Sequence, residues 1–526
     1  MGGVGGGRRR RQGYAMTLPP SRMDYVAEPE LVFGDAQTLA SAKDGLFLFG
    51  PLSEARTRKE IRYGVVGTRA GIGFFREWVA TVRGYVPAKE SVSPQHRPFP
   101  GFPAVFGVEL PTQPTCTLEV SDAHIDAALY IEDRHVAAHR TVDIFASPIQ
   151  EYLNQEDEGV DLWFVVVPER VHTYGRPQSS PPVPLRTKSD VLVNAKMAKA
   201  LVSTPSLFPE DNLAAEYYQY EVHFRNQLKA RLIEGPNRAV VQIVRETTIA
   251  PHAFLRKDGK PTRGIQDAAT VAWNLCTTAY FKAIGRPWKL ARVREGVCYV
   301  GLVYKKLPLS VHDGFACCGA QMFLDSGDGL VFRGAVGPWR SETTKQFHLS
   351  REKARELISM VAAAYAEKVG QAPKEMFIHA QGSFDDEEWR GFREAVPQGT
   401  NVVGVRIRDT RGLKVYRPGE NPVVRGTAHL ETERSGYLWS RGYVPYLLTY
   451  PGRETPNPLR IDLLRGNADL RVVMEDVLNL TKLNFNACIY GDGRPVTLRF
   501  ADAVGEILTA GPVQASQPPL PFKHYI

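Results

Sequence analysis

Two stretches of the 526-residue chain concentrate side chains that could do chemistry. The first, TIAPHAFLRKDGKPTRGIQ, crowds Arg256, Lys257, Lys260 and Arg263 into a Gly/Pro-containing loop that runs into a helix predicted from Asp267 to Ile284. The free amides of a helix's first turn point back at such a loop. Together with the helix dipole and the basic side chains they converge on one place that suits an anion. Lys282, near the far end of the same helix, reaches that place only if the helix end curls back. The second stretch, MFIHAQGSF, is an apolar run that stops at His379-Ala380-Gln381-Gly382. Many nucleic-acid-cutting folds place a catalytic carboxylate where a strand ends in this way. Two divalent ions about 4 Å apart require hard oxygen ligands there. Gln381 offers a neutral amide instead, which cannot offset metal charge.

The elements that must position these residues follow from periodicity and turn signals. In the C-terminal half, 297–304, 315–323 and 329–335 read as three successive strands, with a tight turn at Asp325-Ser-Gly-Asp-Gly329. A helix follows over about 349–369, with Ala354, Leu357, Ile358, Val361 and Tyr365 at helical spacing. Then come a strand at 375–378, a short helix at 386–394 and a strand at 402–407. After a β-rich insertion over 413–463, helices at 470–481 and 500–509 close the chain. Three antiparallel strands, helix, parallel strand, helix, strand is the chain order of the ribonuclease H fold. The first strand, VCYVGLVYKK, has no acid. Asp313 precedes its strand, and Asp325 and Asp328 sit in a turn, where Asp is common for backbone reasons. This half is therefore expected to be a nuclease fold without its metal ligands.

The N-terminal half also alternates strand and helix: 62–67, a helix near 74–82, 161–167, a helix over 217–233, a strand at 239–244 and the helix 267–284. That is a doubly wound, Rossmann-like α/β pattern. Gly67, Gly71 and Gly73 do not have the spacing of a dinucleotide fingerprint. Arg176 to Val183, rich in Pro and Ser, is a surface loop.

Composition sets the bounds. With 43% hydrophobic and 23% charged residues, the chain is globular with a real core, and its length calls for two or three domains. The net charge of +8 favours a polyanionic partner, but Arg8 to Arg11 supply half of it, in a Gly/Arg leader that cannot bury anything. Residues 1–28 are expected to be a disordered leader, with a nucleic-acid-binding arm or an artefact of a start upstream of Met16 or Met23 as the alternatives. Residues 29–290 are expected to form the first domain and 291–526 the second. No run reaches the roughly 20 apolar residues of a membrane span, and the leader lacks the apolar core of a secretory signal. Cysteines 116, 276, 298, 317, 318 and 488 are scattered with no CxxC pair, as expected for buried free thiols in a reducing compartment. His135 and His139 are spaced i, i+4, but Val136 stands where a metalloprotease helix carries Glu.

With both halves in view, the chain resembles the short prokaryotic Argonautes, which consist of a MID domain and a PIWI domain. Several stretches carry the resemblance: GLFLFGP at 45–51 followed by IRYGVVG, then DAATVAWN…FK…GRPW at 267–288, and LTKLNFN…PVTLRFAD at 480–502. It implies a Rossmann-like MID domain and a ribonuclease H-like PIWI domain. Slicing members carry Asp at the positions matching Val303 and Gln381. Asp502 matches the last catalytic position, but one acid alone cannot hold two metals, so this PIWI domain is expected to bind without cutting. The spacing of His252, Arg256, Gln266 and Lys282 resembles the family's grip on a guide 5′-phosphate. Arg256 stands where Lys is usual, and Lys257 competes for the same role. The resemblance further implies Mg²⁺ between that phosphate and the carboxylate of Ile526, and backbone contacts from Lys260, Lys482, Asn484, Asn486 and Arg499. It implies a small guide RNA, single-stranded target DNA and a heterodimeric partner. That partner carries an APAZ module fused to a TIR, sirtuin-like or nuclease effector, in cytoplasmic prokaryotic defence. Two other readings stand beside it: a guided nuclease using unconventional acids, and a ribonuclease H-like DNA-binding protein with no guide.

Overall fold

Six consecutive buried residues, Leu162–Val167, need helices on both faces of their sheet, because neither face can meet water. The computed structural model describes residues 22–52, 58–89, 95–155, 159–306, 316–324, 329–336, 339–343, 345–450, 452, 454–512 and 518–526. In it a four-stranded parallel sheet runs in the order Cys116–Glu119, Tyr63–Gly67, Leu162–Val167, Val241–Arg245. Alternate side chains of Leu162–Val167 enter different cores. Phe164 and Val166 join Ile72, Phe75 and Val79 of the helix Arg69–Val82. Trp163, Val165 and Val167 join Val142, Phe145 and Ile149 of the helix Arg134–Gln155. This is the doubly wound half expected from the sequence.

Two boundaries differ for physical reasons. The helix expected near Phe74 begins at Arg69, because Thr68 caps it by accepting the Gly71 amide at 3.1 Å. The helix expected over 217–233 is broken. A 3-10 turn, Tyr217–Gln219, gives way to an extended Tyr220, and the Glu221 amide donates to the Ala510 carbonyl at 2.9 Å. The helix then resumes as Phe224–Leu232. A bond to a residue almost 300 positions away overrides the local preference.

The second half centres on a ten-stranded sheet. Its middle five strands lie in the order Asn401–Asp409, Glu375–Ala380, Val297–Lys306, Ala316–Leu324, Gly329–Val336. Glu375–Ala380 is parallel to both neighbours, and Ala316–Leu324 is antiparallel to the strands on either side of it. That is the ribonuclease H order. The five residues expected to face inward from the helix Arg351–Val369 are all buried. Val496–Arg499 and Ala501–Leu508 cover the opposite face. The insertion extends the sheet with Thr427–Leu430, Ser435–Leu438 and Leu459–Arg465. Asp313, Asp325 and Asp328 lie outside the described residues, as do the side chains of Cys317 and Cys318. Of the other four cysteines, all free, Cys276, Cys298 and Cys488 are buried and Cys116 is half-buried.

The expected leader reaches too far. Residues 1–21 lie outside the described residues, but Arg22–Tyr25 pairs antiparallel with Thr427–Leu430, and Val26 is buried. Glu28 receives Arg425 Nε at 2.9 Å and Lys482 Nζ at 2.5 Å. The polar stretch RMDYVAE hid an edge strand and a buried ion pair. Leu31–Val32 then pairs with Lys289–Leu290, so the N-terminal segment touches both halves. One continuous core includes Val65, Phe75, Trp273, Leu478, Phe485 and Ile526. The boundary expected at 290/291 separates two sheets but not two cores.

Candidate nucleic-acid interface

The chain's apolar tail builds the first part of the site. Leu520–Pro521 pairs with Val331 and Leu330, and Phe522 packs edge-on against Phe323 and Phe500 at 5.2 and 5.3 Å. These anchors draw Ile526 inside, where it is 2% exposed. The helix Phe224–Leu232 buries Phe224, Leu228 and Leu232, and its register also turns Lys229 inward. Lys229 Nζ donates to the Ile526 oxygen at 2.6 Å and to the Tyr525 carbonyl at 3.2 Å. From the helix Ala268–Ala283, Lys282 Nζ donates to the Ile526 oxygen at 2.5 Å, to the Val241 carbonyl at 2.9 Å and to Gln242 Oε1 at 2.8 Å. Burial pushes both ammonium groups well below their ordinary pKa, and the nearby Arg225 guanidinium adds to it for each. Lys523 Nζ donates to the Lys282 carbonyl at 3.0 Å.

Of the residues expected to grip one phosphate, the structure brings together Lys282 and Ile526. His252, Arg256, Lys257, Lys260 and Gln266 are exposed on the loop before the helix. Phe254 ties that loop to Phe74 at 5.7 Å, Arg256 donates to the Thr262 carbonyl at 3.3 Å, and Gln266 Oε1 accepts from Asn274 at 3.2 Å. Arg263 is spent on Thr247 and Thr248. Among the described residues no hydrogen bond or ion pair joins the loop to the Ile526 cradle. Lys229 was missed in the sequence. Its only local signal is a lysine between Leu228 and Ala230, and its partner lies 297 positions away.

The second part is the end of the ribonuclease H-like sheet. On Val297–Lys306, alternate residues Gly301, Val303 and Lys305 face the helices Val496–Arg499 and Ala501–Leu508. A Cβ at Gly301 would lie 2.0 Å from the Thr497 carbonyl, and one at Gly505 would meet Val303 and Lys305 at 2.9 and 2.7 Å. Glycine at both places lets helix and strand close. Val303, Gln381 and Asp502, the positions the resemblance singled out, line one cleft of about 200 Å³. Asp502 is exposed, and Lys305 Nζ sits 3.6 Å from it and 3.4 Å from Glu506. The cleft's other acid, Glu388, is 1% exposed. It is spoken for by Tyr304, His348 and the amides of Leu349 and Asp385. Gln346 fills the space beside Gly382 and accepts from the Ser383 amide and hydroxyl at 2.8 and 2.9 Å. Among the described residues no group of three or more His, Cys, Asp and Glu side chains could hold a metal ion. His379 is a packed core histidine. Its Nδ1 lies 2.9 Å from Thr497 Oγ1, and burial pushes its pKa down to about 3.

The expected backbone contacts divide. Lys482 faces inward: its side chain is fully buried, with Nζ at 3.0 Å from the Ala40 carbonyl and 2.7 Å from that of Tyr490, besides Glu28. Burial pushes its pKa down to about 8 against the pull of Glu28. That corrects its expected role, because its three N–H donors are spent on protein oxygens. Asn484 is likewise buried, donating to Asp492 at 3.0 Å, and its side-chain oxygen accepts the Asn486 amide at 2.9 Å. Arg499 is exposed and shares Asp492 at 2.7 Å. It lines a polar cleft of about 620 Å³ with Arg411, Arg441 and Arg494. The sequence showed only one of these four arginines as a candidate.

Against known proteins, no family model and no curated protein matches this sequence. Solved structures do match in fold. Clostridium butyricum Argonaute, bound to a guide DNA with 5′ deoxycytidine and a 19-mer target DNA, aligns with a TM-score of 0.59 at 13% identity. That match covers 96% of this chain and 55% of the other. The Aa-Ago structure with externally bound siRNA gives 0.54 at 12% identity, covering 97% and 56%. Aquifex aeolicus Argonaute gives 0.52 at 12%, covering 96% and 57%. The fold is Argonaute-like, with MID-like and PIWI-like halves, and the chain spans a little over half the length of the proteins it matches.

Proposed function

We propose that this chain holds a small guide RNA, pairs it with single-stranded target DNA, and does not itself cut. The observation that carries the reading is the contrast in charge between its two sites. The cradle at Ile526 gathers buried cations, as a terminal phosphate requires. The cleft that a slicing enzyme would fill with carboxylates presents one open acid, faced by a lysine. Two metal ions need several carboxylates to offset their charge, and a neutral Val303 and Gln381 supply none. The likeness in fold to a protein that holds guide and target DNA supports the same reading. Base pairing supplies sequence recognition, and charged side chains along the backbone position the strand without reading its bases. Activity then belongs to a partner, an APAZ-effector protein switched on when the target pairs, in defence against invading DNA. Sequencing the nucleic acid that co-purifies with the chain tests this, with 5′-phosphorylated small RNA of defined length as the expected content. Incubation with guide, labelled target and Mg²⁺ or Mn²⁺ is expected to leave the target full length. Shortened target would show that the chain cuts, and protein free of nucleic acid would remove the guide altogether.

A further inference from the structure

The family resemblance placed Mg²⁺ between a guide phosphate and the carboxylate of Ile526. The residues present do not fit a divalent cation. Such an ion needs several oxygen ligands free to turn toward it. Here the Ile526, Tyr525 and Val241 oxygens and Gln242 Oε1 all accept from an ammonium group. The charge count is also wrong for a metal. Lys229 and Lys282 both touch Ile526, the field of Arg225 acts on both, and Lys523 stands one hydrogen bond away. Two lysines touch the Ile526 oxygen directly, whereas Arg225 and Lys523 have Glu506 and Asp161 acting on them in turn. A further dication would be repelled in a water-poor site where charges are little screened. An additional anion would complete the balance.

The two lysines are not equivalent. Lys282 has spent all three N–H donors on protein oxygens. Lys229 has spent two, which leaves one donor among the described contacts. We infer that the Ile526 cradle is a metal-free site for a terminal phosphate monoester, with Lys229 bridging phosphate and chain end in place of a divalent ion. Lys282 is then a positioning residue, locking the chain end to the Val241–Arg245 strand, and Lys229 is the residue that touches ligand. The inference rests on the guide-binding reading, deepens it, and assigns a role to a residue the sequence motif left out.

The test uses the full chain and one RNA sequence, made with a 5′-phosphate or a 5′-hydroxyl, followed by fluorescence polarisation in EDTA and in Mg²⁺. The expected result is a preference for the phosphate of about tenfold or more in EDTA, changed by less than about threefold when Mg²⁺ is added. A preference that vanishes in EDTA and returns with Mg²⁺ overturns the metal-free site while leaving guide binding intact. No preference in either buffer overturns the guide-binding reading itself. Lys229→Gln is expected to lose the preference in EDTA. A folded Lys229→Gln protein that keeps it removes Lys229 from the bridging role. The wild-type comparison between buffers decides the question even if that variant fails to fold.

Discussion

The Ile526 cradle belongs to one hydrophobic core, the Val303 cleft is lined by Leu302, Ala380 and Phe384 of another, and the two treat charge in opposite ways. At the cradle, two lysines are taken out of water at considerable cost and kept there by oxygens of the C-terminal tail and of the strand Val241–Arg245. The cleft instead presents a packed valine, an amide and one exposed acid faced by a lysine. Buried charge persists only where something gains from it. The contrast therefore separates a site that gathers buried cations from a cleft with a single exposed acid.

The largest test attacks the cleft. Val303 is 6% exposed and pressed against Gly505, so Val303→Asp buries a carboxylate with only Lys305 near enough to compensate. A loss of about 3 kcal/mol in urea unfolding is expected. A variant as stable as wild type would mean the cleft still has room for an acid, and the contrast would fail. Next comes the cradle: Lys282→Met is expected to weaken binding of a 5′-phosphorylated RNA about 100-fold, roughly 2.7 kcal/mol by fluorescence polarisation. Undiminished affinity would locate the phosphate elsewhere.

His379 probes the core between the two sites. In the fold its pKa is about 3, while in the unfolded chain it lies near the ordinary 6.5. The unfolded state therefore binds the extra proton, and stability falls as pH drops from 6.5 toward 3. Between pH 7 and pH 5 the wild type should lose about 2 kcal/mol more than His379→Gln does, read from urea melts at both values. Equal losses would mean the histidine is not desolvated as described. The smallest effect belongs to the exposed loop. Arg256→Ala should cost about fivefold in RNA affinity, near 1 kcal/mol, because solvent screens a cation there. A loss rivalling that of Lys282→Met would make loop and cradle one site.

The sequence carried what is local and periodic. The inward face of Arg351–Val369, the acid-free first strand and the order of the five central strands all followed from spacing. The convergence of Val303, Gln381 and Asp502 came instead from the family resemblance, since Asp502 lies on a helix whose packing the strand order does not set. Hidden from it were the directions of single lysines. Lys229, Lys305 and Lys482 look alike as letters in basic or mixed stretches. One meets the chain end, one faces Asp502 and one is buried against Glu28. Each outcome depends on a partner far away in sequence, and local pattern holds no record of such a partner. The broken helix at Tyr220 failed for the same reason.

The clasp at Glu28 sets a limit for anyone trimming the protein. A version shortened to begin after this residue would strand Arg425 and Lys482 in the interior without their shared counter-charge, and would also remove the edge strand that begins at Arg22. Loss of solubility in such a shortened version would then report on a missing clasp rather than on the proposed guide-holding surfaces, so any minimal engineered form should retain residues from Arg22 onward.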